Sequence, residues 1–176
     1  MTAPAQAPRP RRVVLALGSN LGDRLENLQG AVDALFDAPG LGFGAVSPVY
    51  ETRPVGGPEQ PDYLNAVITV DTALPARTIL DRAHGVEEAF QRVRGVPWGP
   101  RTLDVDLIVV GDEISDDPEL TLPHPRAHER AFVLAPWHDI EPDAEIPGRG
   151  RVADLLGAVG LDGVRRADGS GLQPPA

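Results

Sequence analysis

The chain has 176 residues, with 26 acidic and 16 basic side chains, a net charge of -10 and no cysteine. That length suits one domain with a single substantial core. The acidity argues against a nucleic-acid or anionic-membrane footprint, and the missing cysteine removes disulfides, thiol catalysis and zinc-thiolate sites together.

All sixteen basic residues are arginine. A P-loop lysine, a protein-kinase lysine and Schiff-base chemistry are thereby excluded, and any phosphate recognition falls to planar guanidinium groups. No apolar run approaches membrane-spanning length, and the start lacks the hydrophobic stretch of a signal peptide, so a cytoplasmic location without membrane contact is expected.

Residues 1–12 are rich in Pro, Ala and Arg and are expected to form a disordered arm. Val13-Val-Leu-Ala-Leu17 is a continuous apolar run, which suits a strand covered on both faces. Gly18-Ser-Asn-Leu-Gly-Asp23 turns the chain, either as punctuation or as a phosphate-approaching loop. Leu25, Leu28, Val32 and Leu35 then recur at helical spacing until Pro39-Gly40, which predicts a helix with one buried stripe.

A second strand is expected over 46–51, followed by a long proline-punctuated loop over 52–61, a length that often marks function inside a compact domain. In the third strand, 63–70, Leu64, Ala66, Ile68 and Val70 share the core face. Tyr63, Asn65, Val67 and Thr69 share the other, where a ring and a carboxamide would stand side by side near the loop. A carboxamide offers a donor and an acceptor together and matches the edge of a pterin or purine; a half-exposed tyrosine beside a turn-capping asparagine gives the same pattern.

Pro75 opens a second helix at a position where its missing N–H does no harm, with Ile79, Ala83, Val86 and Phe90 as its buried stripe and Glu87 near its end. Gln91-Arg-Val-Arg-Gly-Val-Pro97 follows, and its arginines Arg92 and Arg94 suit either a basic lid over an anion or a solvated connector.

The chain is organised around Trp98-Gly-Pro-Arg-Thr-Leu-Asp-Val-Asp-Leu-Ile-Val-Val110. In a strand, Asp104 and Asp106 point to the same side, about 6.5 to 7 Å apart at Cα, close enough to share one or two magnesium ions. Leu103, Val105, Leu107 and Val109 are expected on the opposite face, and Arg101 places a cation beside the acids. The alternative is a pair of solvated acids on an edge strand, although Asp is depleted from strands.

Beyond lie an acidic turn over 111–120 and Thr121-Leu-Pro-His-Pro125, where two prolines stiffen the backbone that carries His124. Pro125 argues against a zinc site built on His124 and His128. A helix over 127–134 would bring Arg130 and Phe132 near the site. A proline-broken segment is expected over 140–146, a short amphipathic helix over 152–159, and a flexible tail over 161–176. The order strand, helix, strand, strand, helix, strand predicts an α+β, ferredoxin-like βαββαβ domain over 13–160 with a mainly antiparallel sheet and an added C-terminal region. Both helices would lie on one face, leaving the other free for Tyr63, Asn65, Asp104 and Asp106.

Taken in order, Gly18-Ser-Asn20, Gln60-Pro-Asp-Tyr-Leu-Asn65, Arg92-Val-Arg94, Trp98-Gly-Pro-Arg-Thr-Leu-Asp-Val-Asp106, Pro123-His124, and Arg130 with Phe132 resemble the 6-hydroxymethyl-7,8-dihydropterin pyrophosphokinase family of folate synthesis. The resemblance implies transfer of a diphosphate from ATP to the pterin hydroxymethyl group, with AMP released. It implies that Asp104 and Asp106 hold two magnesium ions and that Arg92 and Arg101 act on the phosphates. Glu87, Arg94, Arg101, Leu107, Thr121, His124 and Arg130 would serve the nucleotide. Thr52, Pro54, Val55, Tyr63, Asn65, Trp98 and Phe132 would form the pterin pocket, and the protein would act as a monomer. Pro97 stands where a basic residue is common in the family, Glu119 where some members carry arginine, and Pro125 where some carry tyrosine. Two other readings are a sugar-nucleotide transferase, for which the chain is too short to hold the larger sheet, and a ligand-sensing module, which leaves the two acids without a task.

Overall fold

A computed structural model of the protein describes residues 9–54, 57, 59–90, 102–169 and 171–176. Strand β1 (Arg11–Ser19) is central, and all its residues beyond Arg12 are buried. It begins before the apolar run because Arg11 and Arg12 sit opposite Thr72 and Asp71 of the neighbouring strand. Their guanidinium groups also meet Glu113 at 2.6 Å and Asp71 at 3.2 Å. The expected disordered arm over 1–12 therefore does not extend to these two residues.

Helix α1 (Arg24–Asp37) starts where the Asp23 side chain accepts from the Glu26 N–H at 3.1 Å, an N-cap that satisfies one orphan donor. Leu28, Val32 and Leu35 bury together with Ala31. Leu25, placed in the stripe by its spacing, is exposed in the first turn.

The expected single strand over 46–51 is two: β2 (Gly42–Val46) and β3 (Tyr50–Thr52). Pro48 has no N–H for the ladder. The interruption is bridged at Ser47, whose N–H donates to the Val67 carbonyl at 2.9 Å while its hydroxyl accepts from the Val67 N–H at 2.8 Å.

β4 (Tyr63–Thr72), α2 (Ala76–Phe90) and β5 (Asp104–Val110) follow. Ile79, Ala83 and Val86 bury as their spacing requires, while Phe90 packs only partly on the core. The main sheet runs from β10 (Val164–Arg166) through β3, β4 and β1 to β5, with β2 also on β4, and every pairing in it is antiparallel.

The expected acidic turn contains a small hairpin of β6 (Ser115–Asp117) and β7 (Leu120–Leu122). A 3-10 turn over Ala127–Glu129 then leads into α3 (Ala131–Ile140). The helix starts later and runs further than the sequence suggested, with Pro136 buried inside it. β8 (Glu145–Ile146) and β9 (Gly150–Arg151) form a second hairpin, and α4 (Val152–Val159) lies where the amphipathic pattern put it.

The sheet has a core on both faces. Val13, Leu15, Leu17, Ile68, Leu103, Val105 and Leu107 pack with α1 and α2. Val14, Ala16, Val67, Ile108 and Val109 pack against Val133, Leu134 and Trp137 of α3 and Val152 of α4. The second face is therefore not free, as the sequence reading had it: Val67 and Thr69 are fully buried, and the open part is confined to the end where Tyr63, Asn65, Asp104 and Asp106 lie.

Val109 falls on the α3 side rather than with Leu107. Val14 pairs with Val109 and Leu15 with Leu107, so Ile108 is an extra residue in β5, a bulge that shifts the alternation by one.

The expected flexible tail is tied in. β10 (Val164–Arg166) pairs with β3, Leu172 is buried beside the α1 core, and the Gln173 N–H donates to Gln29 at 2.8 Å. Composition suggested a loose tail because it registers glycine and proline, not the unpaired edge that β3 offers. Among the described residues no helix is long and apolar enough to cross a membrane.

Candidate active site

The site grows from one row of residues across three strands. Asp104 of β5 lies opposite Gly18 of β1, and Gly18 lies opposite Asn65 of β4; in the next row of the same face stand Asp106, Ala16 and Val67. Asp104 and Asp106 are half-buried, whereas Leu103, Val105 and Leu107, which alternate with them, are buried. The carboxylates thus share the open face, as alternation required.

Gly18 has a steric task. A Cβ there would lie 2.8 Å from Asn65 Oδ1 and 3.5 Å from the Tyr63 ring, so the missing side chain is the space that the carboxamide occupies. Asn65 is 7% exposed and donates from Nδ2 to Thr52 Oγ1 at 2.6 Å, itself fully within the fold. The Thr52, Tyr63 and Asn65 predicted together are therefore one cluster, with Thr52 opposite Tyr63 in the β3–β4 register. Pro54 lies just beyond β3.

Phe132 is in the first turn of α3, and the Arg130 guanidinium lies 5.5 Å from its ring centre, a cation–π contact. The other residues expected at the site, Val55, Arg92, Arg94, Trp98 and Arg101, lie outside the described residues.

On the other side of the carboxylates is a cleft of about 230 Å³. Its walls include Glu87, Leu107, Thr121 and His124, and Asp106 stands among them, so one of the two acids meets four of the residues assigned to the nucleotide. Glu87 accepts from the Val105 N–H at 2.9 Å, which fixes the end of α2 to the exposed edge of β5. Glu119, which stands where some family members carry arginine, also lines this cleft, as do Leu80, His84 and Pro118, which were not singled out from sequence; a β6–β7 hairpin folded over α2 has no local signature at those three positions. Glu119 is held by Arg77 at 3.3 Å.

His124 is placed by the bulge. Its N–H donates to the Ile108 carbonyl at 2.8 Å, and its Nδ1 accepts from the Arg126 N–H at 3.1 Å. An accepting Nδ1 puts the proton of the neutral imidazole on Nε2, making that nitrogen a donor. Burial holds the imidazole below the usual histidine range; Asp106 opposes this, and Arg130 and Arg126 add to it. The result is a neutral, oriented donor beside a carboxylate.

Asn20, which the sequence reading used only as part of a motif, has a fixing role. It is 1% exposed and donates from Nδ2 to Gln60 Oε1 at 2.8 Å and to the Pro61 carbonyl at 2.9 Å. The turn after β1 is thereby tied to the loop before β4.

The profile of the 7,8-dihydro-6-hydroxymethylpterin-pyrophosphokinase family matches residues 14–142. The chain belongs to that family. A Pseudomonas aeruginosa protein named 2-amino-4-hydroxy-6-hydroxymethyldihydropteridine pyrophosphokinase is 40% identical over 91% of this chain and 99% of its own length. A Mycobacterium leprae protein of the same name is 52% identical over 80% of this chain and 77% of its own. Among solved structures, a Plasmodium falciparum HPPK-DHPS triple mutant with pteroate superposes with a TM-score of 0.67 at 14% identity, which is a likeness of fold. The match covers 90% of this chain, which spans just under half of that one, at 47%. The pyrophosphokinase family thus accounts for the ordered motifs.

Proposed function

We propose that the protein transfers the terminal diphosphate of ATP to the hydroxymethyl oxygen of 6-hydroxymethyl-7,8-dihydropterin, a step of folate biosynthesis. The observation that carries this reading is the position of Asp104 and Asp106, between the Thr52–Tyr63–Asn65 cluster and the Glu87–Leu107–Thr121–His124 cleft. The fold is the ferredoxin-like arrangement with additions, a reading supported by the order β5-β1-β4 followed by β3 and by α1 and α2 packing on one face.

Two magnesium ions suit the acid pair. Among the described residues no group of three or more metal-ligating side chains occurs. Magnesium is commonly held by one or two carboxylates, with phosphate oxygens and water completing its shell. When bound, the ions would neutralise charge on the phosphates and help orient them.

The chain's own residues do the rest. Asn65, held by Thr52, presents its amide to the flat edge of the pterin, and Tyr63, Phe132 and, by family resemblance, Trp98 pack on its ring. Pro54 and, by family resemblance alone, Val55 complete the pterin side. His124 donates from Nε2 to a phosphate oxygen, and Arg130 adds a fixed positive charge. Glu87, Thr121 and Leu107 hold the nucleotide, while Arg92, Arg94 and Arg101 are assigned to the phosphates by resemblance alone.

The pterin hydroxyl oxygen bonds to the β-phosphorus as the bond from that phosphorus to the α-bridging oxygen breaks. AMP leaves with the bridging oxygen, and the hydroxyl proton is released. Positioning for in-line attack supplies much of the acceleration in such reactions. We further assign a monomer working in the cytoplasm; the acidic composition argues against a nucleic-acid or anionic-membrane partner.

Product analysis tests the reading. Incubation with ATP, magnesium and the hydroxymethyl pterin is expected to give AMP and a pterin diphosphate in equal amounts. ADP as the nucleotide product, or no turnover by folded protein, overturns it.

A further inference from the structure

The residues after 160 close on the stretch between β3 and β4 that borders the Thr52–Asn65 cluster, and they do so at both of its ends. At the start, the Arg53 N–H donates to the Gly163 carbonyl at 3.0 Å and its guanidinium meets Asp162 at 3.3 Å. Gly163 has φ of +74°, a backbone conformation that side chains with a Cβ rarely adopt, so this turn needs glycine. One residue on, Val164 pairs with Thr52 itself.

The far end is held through Glu51. Its carboxylate takes Arg24 at 3.0 Å on one oxygen and Arg165 on the other. Arg24 also donates to the Asp62 carbonyl at 2.9 Å, and Arg165 lies 4.0 Å from the Asp62 carboxylate. Asp62 immediately precedes Tyr63. The four side chains thus link β10, β3, the start of α1 and the start of β4.

We infer that the C-terminal strand is a positioning element for the pterin pocket: Glu51 and Arg165 set the spacing between Thr52 and Tyr63, and through it the aim of the Asn65 amide. This rests on the pterin reading of that cluster. Exposed ion pairs contribute little to global stability. A pair that fixes a binding group is felt in affinity instead, because an unfixed group must be ordered at the moment of binding.

The test measures pterin affinity in the presence of magnesium and a non-hydrolysable ATP analogue, and the affinity of that analogue separately. Glu51→Ala is expected to weaken pterin binding about five- to ten-fold and Arg165→Ala about two- to five-fold, with nucleotide affinity held within about two-fold. Arg165→Lys, which keeps the charge, should recover most of the loss. Arg151→Ala, which removes an exposed pair with Asp143 at 3.6 Å on the β8–β9 hairpin, should alter neither affinity.

Asn65→Ala separates the two levels of the argument. If it weakens pterin binding while folded Glu51→Ala does not, the positioning role is wrong. Equal loss of pterin and nucleotide affinity in Glu51→Ala also overturns it, since a general loosening of the fold would do that. If Asn65→Ala binds pterin normally, the pocket assignment falls and this inference with it.

Discussion

Gly18→Ala is the smallest change that addresses the centre of the site. The added Cβ would stand 2.8 Å from Asn65 Oδ1, far inside van der Waals contact. Moving the strands apart would disturb a nine-residue register between β1 and β4, so the cheaper relief is rotation of the Asn65 side chain. Rotation breaks its 2.6 Å bond to Thr52. Leaving that buried polar pair unsatisfied costs about 1–3 kcal/mol, and alanine in place of glycine in a strand returns about 0.5–1 kcal/mol. The net destabilisation is at most about 2.5 kcal/mol, a fall in Tm of up to roughly 10 °C for a domain of this size. Pterin affinity should fall about ten-fold or more, since 1.4 kcal/mol is a factor of ten, and nucleotide affinity should be spared. Calorimetric titration with each ligand and thermal unfolding by circular dichroism give these quantities. Unchanged pterin affinity in a folded variant would refute the idea that the empty space over Gly18 holds the Asn65 amide in its binding position.

Asp106→Asn should retain the wild-type Tm within about 2 °C, because the residue is half-exposed, while lowering turnover at least a hundred-fold; an active variant removes Asp106 from the metal assignment. Glu87→Ala should weaken nucleotide affinity and also cost about 1 kcal/mol, the worth of its bond to the Val105 N–H, and loss of stability with normal nucleotide binding would make the residue purely structural. Tyr50 donates to Asp139 at 2.5 Å, and its phenol is raised above the ordinary 10.0 by burial first and by that bond second, with Arg166 opposing. A raised folded-state value stabilises fully below pH 10 and is lost as pH climbs through the folded value. Tyr50→Phe should therefore be less stable by about 1–2 kcal/mol at pH 8 and show a flatter decline above pH 10; parallel curves for the two proteins would contradict the assignment.

How much of this was legible beforehand depended on the range of the interaction. The same-face placement of Asp104 and Asp106 and the α4 limits follow from periodicity alone, which is local. The ordered motifs identified the family because each carries its own residues. What sequence missed was set by distant partners. The bulge at Ile108 depends on pairing with β1, so Val109 was put on the wrong face. The covering of the second face depends on α3, whose length is disguised by Pro136. The division between β2 and β3 was foreshadowed by Pro48, but its repair by Ser47 needed β4 to be in place. The tail was read from its glycines and prolines, while its anchoring comes from Glu51 and Gln29, well over a hundred residues earlier.

The extra residue at Ile108 separates the two halves of β5 into independent tasks. Ahead of it, alternation is tied to the carboxylates; behind it, to the packing of α3. Removing Ile108 would force one phase on the whole strand. Either Val109 would turn away from Trp137, or Asp104 and Asp106 would be driven toward α1 and α2. Burying two carboxylates costs far more than repacking a valine, so the core half would yield. The peptide carbonyl that receives the His124 N–H would disappear with it. A core variant near α3 can thus be accommodated without moving the acids, whereas a single deletion in the same strand would detach the histidine from them.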